Sequence, residues 1–295
     1  MTTLSEVALL RVIAQRIAGP QPASPVEAVR RLAAVQGQDL PGALTSVALR
    51  TTGRRRDDVV AALDEGAVVR SWPMRGTLHL LAAEDLPWMV RLLGRQTPGG
   101  LAARWAELGL SEGDAERARD VVTAALAGGR RLRRAELLTA FDEGGIATTG
   151  QRGYHLLGHL ARTGAICLGP TVDGEQLFVL VEEWIPAPSQ FQGPEALAEL
   201  ARRYFLGHGP ATVHDLARWA GLGLRNARAG LAAVRDQLAS LEVDGAEYLM
   251  DPATPGLLAA HRAEARGVFL LPGFDEFVLG YRERSAVLDS AARLP

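Results

Sequence analysis

A succession of three helical stretches and a β-hairpin recurs three times along the chain and limits the fold more than any other feature. In the clearest copy, helical patterns at 194–205, 212–220 and 226–238 precede two β-rich stretches that flank Asp244-Gly245. Asp-Gly between such stretches is a strong hairpin signal. Three helices with a hairpin are the layout of a winged helix, and the turn at 221–224 gives this copy a helix-turn-helix.

The two earlier copies have the same order of elements. The first ends in a hairpin around the turn at 73–76, and the second in a hairpin whose loop contains Asp173-Gly174. In the first copy, Ser24 and Glu27 have the spacing of a capping box and predict a helix start. We therefore predict an α+β fold that is mainly α with β-hairpins, built from three tandem winged-helix units without an obvious sequence repeat. The helical stretches of these copies are at 5–18, 24–35, 44–49 and 57–65, and at 112–126, 134–142 and 149–162.

The end of the chain departs from this pattern. The stretch 268–277 has the composition of an apolar strand that enters an acidic turn, which predicts the opening of a further β-rich module. The module is expected to be incomplete, because a whole additional domain does not fit between this stretch and Pro295. The predicted division is 1–100, 101–190 and 191–255 for the winged-helix units, and 256–295 for the start of a small C-terminal β module.

The stretch Gln36-Gly37-Gln38 follows the second predicted helix and offers two carboxamides. Residues one and three of an extended triplet point the same way, so Gln36 and Gln38 are predicted to face one pocket. Two amides aimed at one point orient a water molecule and accept its hydrogen bonds. A polar helix C-terminus followed by a turn is the alternative interpretation of the same residues. Asp39 competes for the water-activating role, and a helix cap or a surface acid is its plainer interpretation.

The charge of the chain limits its partners. A formal net charge of −2 argues against a protein that coats DNA without specificity, but it permits a local basic groove. All 32 basic residues are arginine, so no lysine amine is available for Schiff-base chemistry. Arginine runs that contain Arg54, Arg133 and Arg225 are candidates for phosphate contacts, and a solvated face explains each run equally well.

Few other side chains suggest chemistry. Cys167 is the only cysteine, which excludes an internal disulfide and a thiolate-rich zinc site. His155 and His159 have the spacing of metal ligands on a helix, but without an HExxH motif structural roles are the better interpretation. No apolar stretch reaches the roughly 18 residues that span a bilayer, and the first residues lack a signal-peptide layout. We therefore predict a cytoplasmic protein that uses no metal or cofactor and binds no membrane.

Several motifs together resemble the AlkZ/YcaQ-type winged-helix DNA glycosylases of bacteria, and the resemblance covers essentially the whole chain. Their order and spacing are more specific than any single motif. The motifs are Gln36-Gly37-Gln38, Arg-Gly-Thr-Leu-His-Leu at 75–80, the stretches 209–212 and 215–219, and Leu-Pro-Gly-Phe-Asp-Glu at 271–276 with Gly-Tyr-Arg at 280–282.

The resemblance implies three tandem winged helices that form a concave DNA-binding surface, followed by a small β-barrel. It implies that Gln36 and Gln38 are catalytic, because the AlkZ branch carries Gln-x-Gln where the YcaQ branch carries Gln-x-Asp. Gly37 departs from the aliphatic residue at the middle of the AlkZ motif, and the incomplete C-terminal barrel is a second departure. The matching motifs add further candidates for contact with substrate or DNA, namely Arg75, His79, Asp275 and Arg282.

The implied activity is chemically coherent with the residues present. An alkylated purine is cationic and leaves readily, so the enzyme needs to stabilise oxocarbenium-like charge on the sugar and deliver water. Glutamine carbonyl dipoles do both weakly. We predict a monomeric, monofunctional glycosylase that acts on N7 or N3 adducts, bulky adducts or interstrand cross-links in double-stranded DNA, for repair or self-resistance to a genotoxin.

A non-catalytic winged-helix regulator is the alternative, with the helix of the third unit in a major groove. A protein-interaction scaffold is a third interpretation, which the near-neutral charge permits. Activity on alkylated DNA distinguishes the glycosylase from both. Sequence-specific binding to undamaged DNA distinguishes the regulator from the scaffold.

Overall fold

The computed structural model describes residues 3–94 and 100–288, which form two compact units. Unit 1 comprises Met1–Val59 and Phe191–Pro295, and unit 2 comprises Val60–Gln190. Unit 1 therefore joins the N-terminal helices to the third copy of the pattern, whereas the division predicted from the sequence assigns them to separate domains.

An apolar cluster explains why the two ends of the chain share one unit. Leu10 and Ile13 of the N-terminal helix pack in the same buried cluster as Met250 and Leu258. Contacts between residues so far apart in sequence leave no local signal, so helical periodicity alone did not reveal them.

The N-terminal part of unit 1 contains the helices that carry the Gln-Gly-Gln stretch. Ser24 Oγ accepts the Glu27 N–H and the Glu27 carboxylate accepts the Ser24 N–H, which confirms the predicted capping box. The third helix begins at Leu40 rather than at residue 44, because Pro41 fits its first turn. The elements are α1 Leu4–Ala14, α2 Pro25–Leu32, β1 Val35–Gln36, α3 Leu40–Ala48 and, across the boundary of the units, α4 Arg56–Asp64.

Unit 2 contains the first two predicted hairpins in one antiparallel sheet. Each hairpin turns through residues with positive φ, Arg75-Gly76 in the first and Asp173-Gly174 in the second. The helices pack around Phe141, Leu160 and Phe178 in the core of the unit. The order along the chain is β2 Val68–Met74, β3 Thr77–Ala82, α5 Leu86–Leu93, α6 Leu101–Glu107, α7 Glu112–Leu126, α8 Arg134–Glu143, α9 Arg152–Arg162, β4 Ile166–Val172, β5 Glu175–Leu180 and α10 Val181–Trp184, with β3-β2-β4-β5 as the order in the sheet.

The rest of unit 1 contains the predicted helix-turn-helix and its hairpin. The second helix of that motif is shorter than predicted, ending at Ala232, because a 3-10 turn at Arg235–Gln237 precedes the hairpin. Gly207 lets two helices approach closely, since a Cβ there would lie 2.1 Å from the Arg31 carbonyl oxygen of α2. The elements are α11 Gly193–His208, α12 Val213–Ala220, α13 Leu224–Ala232, β6 Ala239–Val243, β7 Ala246–Met250, α14 Thr254–Ala265 and α15 Glu276–Leu279.

The predicted C-terminal strand is not formed in the described residues. The chain from 266 to 275 contains neither helix nor strand there, and Val268 and Leu270 are 93% and 88% exposed. Phe269 and Leu271 instead pack against the cluster that contains Ile13. The alternation of apolar residues therefore reflects a segment with one face on that cluster, and the prediction of a strand at 268–277 was wrong.

None of the helices in the described part of the chain is long and apolar enough to cross a membrane.

The helix-turn-helix also begins with a capping box. Thr212 Oγ1 accepts the Asp215 N–H at 3.2 Å, and Asp215 Oδ2 accepts the Thr212 N–H at 2.9 Å. We expect Thr212→Ala to lower the free energy of unfolding by about 1 kcal/mol in urea, because the Asp215 N–H loses its side-chain acceptor. Asp215→Ala should lower it more, since Asp215 Oδ1 also accepts the N–H groups of Arg282 and Glu283. Equal effects of the two variants would contradict this arrangement.

Candidate active site

The Gln-Gly-Gln stretch forms the connection between α2 and α3. Ala33 ends α2 with a φ of 60°, which turns the chain sharply, and Val35 and Gln36 then run extended. Asp39 occupies the N-cap position of α3, is exposed, and makes no side-chain capping bond. Two rigid helices therefore hold a short polar loop at both ends.

The two glutamines differ in burial. Gln36 is 8% exposed, and its Oε1 accepts the Gln38 N–H at 2.6 Å. Gln38 is exposed. The Gln36 amide therefore bonds to the loop's own backbone, which makes Gln36 the inner residue and Gln38 the outer one, and a pocket shared by both side chains stays a prediction.

Glu276 lies directly beneath the loop and has no exposed surface. Its Oε1 accepts the Gln36 N–H at 2.9 Å. Its Oε2 accepts the Trp219 indole N–H at 2.9 Å and lies 3.4 Å from His208 Nε2. The carboxylate therefore links the loop to α11 and α12, which supply His208 and Trp219.

Asp275 is also buried, at 1% exposure, and forms a bidentate ion pair with Arg50 at 2.7 and 2.9 Å. Ser46 Oγ and the Phe277 N–H also donate to it. Burial raises the pKa of Asp275, but the Arg50 charge and these hydrogen bonds outweigh it and leave the pKa below its usual range. The prediction that Asp275 contacts DNA is therefore corrected, because Arg50 and Ser46 enclose its carboxylate.

Gln15 and Tyr281 connect the two acidic residues. Gln15 Oε1 accepts from Arg50 at 2.8 Å, and its Nε2 donates to Tyr281 Oη at 2.9 Å and to the Glu276 carbonyl at 3.2 Å. The Tyr281 hydroxyl donates to the His208 carbonyl at 2.7 Å, and burial raises its pKa. We call this set of side chains the buried network: Gln15, Arg50, His208, Trp219, Asp275, Glu276 and Tyr281.

Close packing keeps the buried network rigid. The Tyr204 ring stacks on His208 at 4.7 Å between centroids, and the Arg11 guanidinium lies 3.5 Å from the centre of the Tyr281 ring. A Cβ at Gly280 would lie 2.6 Å from the Glu276 carbonyl oxygen and 2.7 Å from the His208 ring. Glycine is therefore required where the chain turns beneath the loop.

The other candidates in unit 1 lie at its surface. Arg54 has a φ of 49°, is exposed, and its Nε lies 3.4 Å from Gln21 Oε1. Arg225 is exposed in the first turn of α13, and Arg282 is exposed where its backbone N–H bonds to Asp215. Their roles as phosphate contacts remain predictions.

The unit 2 candidates lie in two separate places. Arg75 lies at the turn of the first hairpin, where its guanidinium is 3.1 Å from His79 Nε2. His79 is fully buried and its Nδ1 lies 2.9 Å from the Thr77 carbonyl, so the ring supports Arg75 and its predicted exposure to DNA is corrected. Arg133 is 39% exposed and already paired with Asp173 at 2.7 Å.

No group of three His, Cys, Asp or Glu side chains within 3–94 and 100–288 is arranged to hold a metal ion. His159, one of the two histidines with metal-ligand spacing, packs against Trp105 with ring centroids 4.9 Å apart. Burial, and then Arg162 and Arg119, lowers the pKa of His159. Cys167 is buried, which raises the pKa of its thiol and makes it unreactive.

Most residues of the buried network were not predicted to have a functional role. Trp219, Glu276 and Tyr281 fall inside motifs quoted above, but Gln15, Arg50 and His208 had no signal in the sequence around them. One clue was present: adjacent acids inside an apolar stretch are seldom solvated, so Asp275 and Glu276 needed buried partners.

Comparisons with known proteins identify the family of the chain. A family model described as DNA glycosylase AlkZ-like matches residues 29–295. The chain belongs to the AlkZ-like DNA glycosylase family. A curated relative, the interstrand DNA cross-link repair glycosylase of Streptomyces sahachiroi, is 29% identical over 270 residues, which are 86% of this chain and 71% of the relative. The solved structure of Streptomyces sahachiroi DNA glycosylase AlkZ superposes with a TM-score of 0.80 at 25% identity, covering 98% of this chain and 80% of that one.

These matches confirm the predicted family, the mixed fold with mainly helical structure, and the DNA glycosylase class. They do not support the alternative of a non-catalytic regulator.

Proposed function

We propose that this AlkZ-like glycosylase hydrolyses the N-glycosidic bond between deoxyribose and an alkylated purine in double-stranded DNA. The observation that carries the proposal is the exposed Gln38 amide, mounted on a loop whose inner side is held by Glu276. The substrate class is N7- and N3-alkylated purines. It includes bulky adducts and cross-links, since the relative is named for interstrand cross-link repair.

The proposed chemistry assigns different roles to the two glutamines. Alkylation at N7 or N3 gives the purine a positive charge and makes it a good leaving group. The enzyme therefore mainly needs to stabilise the positive charge that develops on the sugar and to direct a water molecule to it. The Gln38 carbonyl dipole meets both demands at the loop surface. Gln36, whose carbonyl oxygen is bonded to the Gln38 N–H, holds Gln38 in position.

The absence of lysine supports a monofunctional enzyme, because lysine is the usual source of a Schiff base with the abasic sugar and a lyase step would otherwise need the N-terminal amine. We expect a duplex with one N7-methylguanine to remain unbroken after incubation and to break at the lesion only after heating in alkali. Borohydride should trap no covalent complex. Strand cleavage without alkali, or a trapped complex, would overturn the hydrolytic mechanism.

Exposed arginines on α13 are proposed to contact DNA phosphates. Arg225 and Arg228 are one helical turn apart and both exposed. We expect Arg225→Ala to weaken binding to damaged and undamaged duplexes alike and to reduce the slope of log K against log salt by about 1. Arg117→Ala is the matched control, because Arg117 already pairs with Asp114 on the surface of α7. Equal salt slopes for wild type and Arg225→Ala would show that Arg225 does not contact DNA phosphates.

A further inference from the structure

Glu276 makes a contact that connects the protein interior to the loop of the proposed active site. We propose that Glu276 is a positioning residue of the glycosylase, whose carboxylate fixes the Gln36 backbone and, through it, the Gln38 amide. This inference rests on the function proposed above. Glu276 touches no DNA in this role, because its side chain has no exposed surface.

A continuous series of hydrogen bonds from Trp219 to Gln38 supports the inference. The Trp219 indole donates to Glu276 Oε2, Glu276 Oε1 accepts the Gln36 N–H, and Gln36 Oε1 accepts the Gln38 N–H. The first bond is anchored in α12 and the last ends at the exposed residue. A small displacement of Glu276 therefore moves Gln38, and misplacement of a reacting group by about 1 Å is enough to lower rates about 100-fold.

The contacts require a carboxylate and not merely a polar group of the same size. Both oxygens face N–H donors, Oε1 towards Gln36 and Oε2 towards Trp219, each at 2.9 Å. A carboxylate accepts at both positions, whereas a glutamine amide accepts at one and donates at the other. In either orientation, an amide at this position would face an N–H group with its own NH₂.

Position in the fold separates Glu276 from its neighbour Asp275. Asp275 bonds to Ser46 on α3, to Arg50 just after the end of α3, and to the Phe277 N–H in α15, and so holds these two parts of the chain together. Of these two acidic residues, Glu276 is the one that forms a hydrogen bond with the Gln-Gly-Gln loop in the described contacts. The two acids are therefore expected to differ in what their substitution changes.

The test is a double-variant series measured by single-turnover release of N7-methylguanine with enzyme in excess. We expect Glu276→Gln to slow release about 10- to 100-fold, the usual effect of losing an outer contact to a reactive group. The dissociation constant for the damaged duplex should change less than about threefold, because the DNA-facing surface is retained. Trp219→Phe alone keeps the Gln36 contact and should have a smaller effect on the rate.

Rescue distinguishes positioning from general damage to the fold. Without the indole N–H, the amide of the Glu276→Gln/Trp219→Phe variant can turn its oxygen to Gln36 and its NH₂ to the vacated side. The double variant should therefore release base faster than Glu276→Gln, although it is the more disrupted protein. Leu258→Ala, a core truncation outside the network, controls for lost stability and should leave the rate of release unchanged.

A measurement on the wild-type protein covers the case in which the variants do not fold. The Gln36 amide hydrogen should exchange slowly with solvent, as expected for an N–H bonded to a buried carboxylate. Unprotected exchange would overturn the inference, and so would a Glu276→Gln variant with the wild-type rate or a double variant slower than Glu276→Gln. If the wild type releases no base, the proposed function fails, and the exchange of Gln36 still tests the contact.

Discussion

Replacing Gln38 with alanine is expected to slow single-turnover release of N7-methylguanine by about 100-fold or more, the effect of removing one preorganised dipole from a transition state. The physical reason is that Gln38 carries the exposed amide of the loop, so its loss removes the dipole that faces the sugar and the attacking water. Because the side chain is at the surface, the free energy of unfolding should change by no more than about 0.5 kcal/mol.

The control is Gln192→Ala, which removes another exposed glutamine at a helix N-cap where the side chain makes no capping bond. It should keep the wild-type rate. Gln36→Ala is expected to slow release as well, but with a loss of loop order, because the Gln38 N–H loses the Gln36 oxygen. If Gln38→Ala released base as fast as Gln192→Ala, Gln38 would have no part in the reaction.

The Arg50–Asp275 pair predicts the largest effect on stability. Asp275→Asn should lower the free energy of unfolding at pH 7 by about 3–5 kcal/mol, because it leaves the Arg50 guanidinium buried without its counter-charge. Both side chains are 1% exposed, so water cannot replace the lost contact. Urea unfolding monitored by circular dichroism measures the difference. Arg55, whose pairs with Asp57 and Asp58 are at the surface, provides the control, and Arg55→Ala should have little effect.

The same pair gives the stability a defined dependence on pH. The pKa of Asp275 is lower in the folded protein than in the unfolded chain, where an aspartate has a pKa of about 3.9. Its contribution is therefore complete above that unfolded value and is lost as the pH falls through the folded value. The difference in stability between wild type and Asp275→Asn should shrink as the pH is lowered below about 4. A difference that stays constant from pH 7 to pH 3 would contradict the assigned ion pair.

Elements specified by local chemistry were predictable from the sequence. The capping boxes at Ser24 and Thr212 place helix starts correctly, because a hydroxyl and a carboxylate three residues apart satisfy N–H groups within one turn. The loops with Asp173-Gly174 and Asp244-Gly245 form hairpins, because these residues tolerate the positive φ that the turn requires. Within the described residues, the three hairpins and the helices that precede each of them were predicted from such signals, whereas α5, α6, α10, α14 and α15 were not predicted.

Features that depend on distant residues were not predictable in this way. Arg50 meets Asp275, and Gln36 meets Glu276, across more than 200 residues of chain. Gln36 is buried and Gln38 is exposed, and the Gln36 amide bonds to the loop's own backbone, which the alternation of an extended chain does not anticipate. The segment from 266 to 275 has the composition of a strand, but in the described residues it pairs with no strand, and Phe269 and Leu271 pack on the cluster that contains Ile13 and Leu258.

The Gln-Gly-Gln loop is proposed to hydrolyse the bond between deoxyribose and an alkylated purine. The most direct measurement is the quantity of free N7-methylguanine that the protein releases from a methylated duplex, compared with release by the Gln36→Ala/Gln38→Ala double variant. We predict that wild type releases the free base and leaves one abasic site for each base released. The double variant should be slower by about 100-fold or more. No free base from the wild type, or equal release by the double variant, would contradict the account.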